Sequence, residues 1–250
     1  MVKFLFLSYI YIRLNWNIFL MNQKLPPLIA IVGTDGSGKT TLCQILLTWM
    51  QQKRPTALCH LGRQTGNIGR TIARVPFIGR KIDKKVQTQT HKAKKDKGPN
   101  GLLAIAIFAF SLRRVFRFCK MLRIRKRGIA IITDRFPQVS VRGGLEGPDL
   151  SLENPKSFIA NYLTKIEWQL YRWMADHKPD LVIRLNVDID TAMKRKPDHK
   201  PASLERKITS LSKITYNGAP IIDIDATLPL QEVVKKAQKA IDDIIKEKKL

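Results

Sequence analysis

A glycine-rich turn between an apolar run and a helix-like segment constrains this chain more than any other feature. Residues 29–42 read IAIVGTDGSGKTTL, and Gly33-Thr34-Asp35-Gly36-Ser37-Gly38-Lys39-Thr40 satisfies G-x-x-x-x-G-K-[ST] at every fixed position. Glycines in such a turn let backbone N–H groups point inward around phosphate oxygens, where side chains would obstruct them. The N-terminus of the following helix adds partial positive charge. Lys39 can reach β- and γ-phosphate oxygens as a mobile cation, and the Thr40 hydroxyl can ligate Mg2+. Gly33 through Thr40, together with Thr41, are thus the candidate residues for a nucleoside triphosphate, with ATP and Mg2+ the expected cofactors.

Around this turn, strand-like and helix-like segments alternate. LIAIV (28–32), TALCHL (56–61), GIAIITDRFP (128–137), DLVIRLNV (180–187) and PIIDID (220–225) read as strands, the first a continuous apolar run of buried-strand length. Helical periodicity covers about 39–52, 154–177 and the closing amphipathic segment. A further helix starts in DIDTAMKRK with Asp190 or Thr191 as its cap, is broken by PDHKPA, and resumes in SLERKITSLSKI. Strands separated by helices predict a parallel α/β sheet with helices on both faces, and ligands at the carboxyl ends of the strands. Asp134 and Arg135 stand where one strand stops. The acid is placed to serve the metal, and the arginine can hold a phosphate on two oxygens.

Forty-five Lys and Arg against twenty Asp and Glu give a formal charge of +25. That excess favours polyanionic partners, although a basic surface without a dedicated partner reads the same way. Residues 80–97 carry eight basic residues and two acids, a solvated insertion. GLLAIAIFAFSL (101–112) is too short to span a bilayer and runs into 112–127, where eight basic residues meet no acid. One long helix is expected there, buried in its first half and basic-amphipathic in its second. Its second half is either a core helix with a solvated face or a surface for an anionic polymer or membrane. The candidate partners are therefore a small phosphate acceptor, an anionic polymer or membrane surface through 112–127, and a second copy of the chain in a homodimer.

Three cysteines without a CxxC and four scattered histidines exclude a disulfide framework and a histidine-type metal site. Reduced thiols point to the cytoplasm, with the membrane periphery left open. Residues 1–20 are apolar but broken by Arg13 and Asn15. They read as an extension upstream of the true start, a surface anchor or a secretory signal, and residues 21–250 as the working domain. With no Asp-Glu pair after a second strand, a helicase-like motor is disfavoured.

GTDGSGKTTL, ITDRFP, KPDLVIRLNVDIDTAMKRK and IDIDATLPLQEV occur in the order found in thymidylate kinases, and the chain resembles those and related P-loop kinases loosely over 28–248. The resemblance implies a P-loop NTPase three-layer sandwich with a mostly five-stranded parallel sheet and a helical lid at about 194–207. It implies transfer of the ATP γ-phosphate to a nucleoside monophosphate, dTMP first, in nucleotide biosynthesis. It implies that Asp35 approaches the acceptor's sugar hydroxyl, that Asp134 assists Mg2+, and that Arg135 holds the acceptor phosphate. Gly36 stands where some relatives have arginine, which implies a catalytic arginine from the lid, Arg195 first and Arg206 second. Arg63 and Gln138 are the remaining acceptor-binding candidates. The chain departs from the pattern after its second strand, where HLGRQTGNIGR replaces the usual Thr-Arg-Glu-Pro-Gly segment, and after Asp-Arg-aromatic, where a Tyr-Gln pair is missing. These departures, with the charge excess, leave a nucleoside or phosphorylated sugar open as acceptor, and a non-enzymatic nucleic-acid- or membrane-binding role as the competing class.

Overall fold

Five strands form one all-parallel sheet: β1 (Leu28–Gly33), β2 (Thr56–His60), β3 (Ala130–Asp134), β4 (Leu181–Asn186) and β5 (Ile221–Asp225). Their spatial order is β2-β3-β1-β4-β5. The computed structural model describes residues 25–62, 101–150 and 157–249. The N-terminal stretch 1–20, Arg63 and the basic insertion at 80–97 lie outside the described residues.

Alternation along the strands builds two cores. Ile29, Ile31, Ile132 and Ile183 face α1 (Lys39–Gln51) and α6 (Leu230–Glu247), which contribute Leu42, Leu46, Val233 and Ile241. Leu28, Ala30, Val32, Ile131 and Val182 face the other way. There they meet Phe118, Met121 and Leu122 of α2 (Gly101–Lys126) and Tyr171 and Met174 of α3 (Phe158–Asp176). With both faces covered, every residue of β1 is buried, which is why the segment reads as an unbroken apolar run. The result is the expected P-loop NTPase α/β fold.

The long helix forms and its second half is amphipathic as expected, but its first half is less buried than expected. Ile105 in the apolar half is 50% exposed, whereas Phe118 and Met121 in the basic half are fully buried. The reason is placement: the basic half crosses the sheet, packing on β2 and β3. Its arginines reach this interior by finding partners. Arg114 is 1% exposed, Arg125 pairs with Asp180 at 2.6 Å, and Arg117 donates to the carbonyls of His60 and Gly62. A buried charge is tolerated when it is paired and hydrogen-bonded. Among the described residues no helix is long and apolar enough to cross a membrane.

α4 (Ile189–Arg195) and α5 (Pro201–Ser212) follow β4 and span the stretch 194–207 where a lid is expected. The cap of α4 is Asp188, not Asp190 or Thr191: its carboxylate accepts from the Thr191 amide at 2.7 Å. Only a residue with extended backbone before the first helical turn can present its side chain to those free N–H groups, and Asp188 has that conformation.

Candidate functional site

β1 lies where chain order reverses across the sheet, with β3 on one side and β4 on the other. In an open parallel sheet this switch point opens a crevice at the strand ends. The turn 33–38 leaves β1 into that crevice and delivers the chain into α1. Gly33 is needed for close approach, because a Cβ there would lie 2.5 Å from Ser37 Oγ and 2.9 Å from the Leu185 carbonyl. Gly38, left-handed at φ 82°, opens α1 without a side-chain cap, and no acid occupies the first turn. The first amides of α1 are thus left to an anion.

Lys39 folds back across the turn, donating to the Thr34 carbonyl and, at 3.4 Å, to Ser37 Oγ. Burial, reinforced by Arg135, pushes its ammonium down to about 8, against the pull of Asp35, Asp134 and Glu146. A pH dependence follows. The phosphate-binding form is the charged one, so nucleotide affinity should fall as pH rises past about 8, well below the ordinary lysine value of 10.5. Stability moves oppositely, since the unfolded chain holds more protons than the folded one between those two values and stability therefore rises across that window. ADP titrations at pH 7, 8 and 9 measure the first effect.

Parallel register sets Asp134 beside Ile31 of β1 and His60 of β2. Asp134 Oδ2 is 2.9 Å from His60 Nδ1 and 3.5 Å from Thr40 Oγ1. Its Oδ1 is buried with no hydrogen-bond partner among the described residues. Burial works to raise this carboxyl, but His60, Arg135 and Lys39 outweigh it and hold the group below its usual range. An ionised, under-coordinated carboxylate beside a threonine hydroxyl suits Mg2+, whose octahedral shell is completed by water and donor phosphates. Among the described residues no group of three His, Cys, Asp or Glu could hold a metal.

Arg135 follows at φ 71°, a left-handed conformation rare for a side-chain-bearing residue and of the kind retained at working sites. Its guanidinium donates to Glu146 Oε1 at 2.7 Å and Asp35 Oδ1 at 3.1 Å. Glu146 in turn accepts from Arg114 at 2.5 Å, and Arg114 also reaches the Tyr171 hydroxyl. Asp35 is gripped on its other oxygen by Lys207, with His199 at 3.6 Å. Burial favours its neutral form, yet Lys207, Arg135 and Lys39 hold the carboxyl well below the usual range.

The structure brings together most of the expected site. Lys39, Thr40, Asp35, Asp134 and Arg135 share one cluster, while Thr41 is exposed on the first turn of α1. Arg195 reaches the turn, donating to the Gly36 carbonyl at 3.2 Å and to the Ala226 carbonyl at 3.0 Å. Arg206 instead bonds to Ala202 within its own helix. Gln138 is 1% exposed, and its amide is committed to the loop beyond β3: it donates to the Val141 and Gly144 carbonyls and accepts from the Val141 amide. That side chain shapes the loop carrying Glu146. His60, Arg114, Glu146, His199 and Lys207 escape local sequence reasoning. One signal was available: Arg114, Phe118, Met121, Leu122 and Arg125 fall at i, i+4, i+7, i+8 and i+11, a single helical stripe.

Gly36 packs closely under α4. Its φ is 84°, and a Cβ there would come within 3.1 Å of the Ala192 carbonyl. Gly36→Ala should lower stability by about 1–3 kcal/mol through left-handed strain, and weaken ADP binding by lifting α4 from the turn. Thermal denaturation and calorimetric titration measure the two effects.

The sheet order, the uncapped helix behind a glycine turn and the Thr40–Asp134 pair define a P-loop α/β protein. The chain is 40% identical over 220 residues to "Uncharacterized ATP-binding protein YghR" of Escherichia coli strain K12, covering 87% of each chain. It is 37% identical over 228 residues to "Uncharacterized ATP-binding protein YghS" of the same strain, covering 90% of this chain and 96% of the relative. The chain belongs to the family of these two proteins. No family model matches it.

Proposed function

We propose that this protein binds ATP and is an ATP-dependent phosphotransferase. ATP binding is supported by the phosphate cradle and by the names of the two relatives. The observation that carries transfer is the pair emerging from β3. Asp134 sets Oδ2 beside Thr40 and His60 and leaves Oδ1 buried without a partner, and Arg135 stands next to it against Asp35. A protein that only held Mg-nucleotide would need the cradle and the acid, not an arginine set beyond them against Asp35.

Within this reading Lys39 and the turn amides bind the donor's phosphates. Thr40 and Asp134 would hold Mg2+, which supplies charge neutralisation on those phosphates when bound. Arg195 and Lys207 bring the lid against the turn, which excludes water from the transferring group.

A nucleoside monophosphate, dTMP first, is the acceptor the thymidylate kinase resemblance supports, with Arg135 as its phosphate ligand. One observation favours a second acceptor. Arg135 is already paired with both Asp35 and Glu146, so an acceptor phosphate would compete with two carboxylates for its guanidinium. A nucleoside, which carries no phosphate, avoids that competition. An ATP-consumption screen over nucleosides, nucleoside monophosphates and phosphorylated sugars tests the proposal. Turnover on dTMP supports the first acceptor, turnover on a nucleoside alone supports the second, and turnover on a phosphorylated sugar alone keeps phosphotransfer but overturns both of these acceptors. Salt-sensitive nucleic-acid or vesicle binding without turnover on any acceptor would reject phosphotransfer.

A further inference from the structure

Of three basic residues on the lid, Arg195 and Lys207 meet the phosphate turn and Arg206 does not. Arg195 is held by two backbone carbonyls, Gly36 and Ala226, so its guanidinium ties α4 to the turn and to the segment after β5. Arg206 lies on the exposed side of α5 and bonds within its own helix. Lys207 lies on the packed side: Leu204 and Leu211, three residues before it and four after, are both buried. Its ammonium reaches Asp35, the third residue of the turn, and His199 approaches the same oxygen.

A carboxylate inside a phosphate cradle is an electrostatic liability. Asp35 stands close enough to Lys39 and Arg135 to interact with both, and without compensation it would repel an incoming phosphate. Lys207 and Arg135 cover its two oxygens, one from the lid and one from β3. The carboxylate thereby becomes a seat that aims a flexible lysine at the cradle. A lysine suits this use, being a compact cation on a flexible stem.

We infer that Lys207 is the lid cation that faces the donor's terminal phosphate, and that Asp35 is the residue that seats it there. The inference rests on the ATP-dependent reading above and narrows it to one lid residue other than the arginines the family resemblance implies. It gives Asp35 a role toward the donor side in addition to any contact with an acceptor. Lys207 makes and breaks no bond; it neutralises charge.

A cation on the terminal phosphate discriminates triphosphate from diphosphate, and this can be read without knowing the acceptor. Calorimetric titration of the full chain with Mg2+ and either the imido analogue of ATP or ADP gives the preference for the triphosphate. Wild type is expected to prefer the triphosphate, and Lys207→Ala to lose about tenfold of that preference, with ADP affinity nearly unchanged. Lys207→Arg should keep part of it. Lys213→Ala, which removes the same charge just beyond the lid, should leave it as in wild type. In an Asp35→Asn background, removing Lys207 should have little further effect. An unchanged preference in Lys207→Ala, or an equal drop in Lys213→Ala, overturns the assignment and leaves ATP binding standing. A wild-type chain that binds neither nucleotide overturns the underlying reading instead.

Discussion

Lys39→Ala should abolish nucleotide-dependent turnover, with a fall of about a thousandfold or more, while leaving the fold intact. The ammonium is buried in the turn and bonded to the Thr34 carbonyl and Ser37 Oγ, so it is held in place before any phosphate arrives. A preorganised charge in a dry site is worth far more than the same charge in water, and loss of even one such donor typically lowers rates by about 10²–10³-fold. No neighbour can replace it. Arg135 is paired with Asp35 and Glu146, and Arg195 with backbone carbonyls. Stability should move little or even rise, because burial disfavours the Lys39 ammonium, as its depressed pKa reports. ATP-consumption and ADP-binding assays beside thermal denaturation give the split. Unchanged turnover in this variant would sink the phosphotransfer proposal.

Arg114→Ala should have the opposite signature, a large loss of stability far from the phosphate turn. Arg114 is 1% exposed and donates to Glu146 Oε2, the Glu146 carbonyl and the Tyr171 hydroxyl. Its removal opens a cavity and strips a buried carboxylate of one of its two arginines. Breaking a buried pair from one side costs about 3–5 kcal/mol, a melting-point drop of roughly 10 °C for a chain of this size. Because Glu146 also positions Arg135, activity should fall with stability. Pairing the change with Glu146→Gln should recover part of the stability, since no unbalanced charge then remains buried. If the single variant melts like wild type, the Arg114–Glu146 contact does not support the fold.

The cradle was legible in sequence because it is local. Eight consecutive residues supply the turn, the cation and the metal-binding hydroxyl, and the apolar run before them specifies the strand that carries them. Asp134 and Arg135 were legible for the same reason, standing at the end of a buried run. α2 shows the limit. Eight basic residues in 112–127 read as a solvated face, since charge in a sequence carries no record of its partner. Asp180, 55 residues from Arg125, and Glu146, 32 from Arg114, take two of those eight charges into the interior, while Arg113, Lys120, Arg123 and Arg127 stay exposed.

The amino-acid order by itself determined the alternation of buried strands and helices, the phosphate turn and the acid–arginine pair at a strand end. Each rests on spacing within a few residues, where covalent geometry dictates which groups meet. Strand order was a matter for the tertiary structure. Setting β3 beside β1 brings Asp134 to Thr40, 94 residues away, and folding α5 over the turn brings Lys207 to Asp35, 172 residues away. Those encounters depend on how two faces of a sheet bury their apolar side chains. The charges that tune the site were therefore placed by packing, whereas its phosphate chemistry was written in one turn.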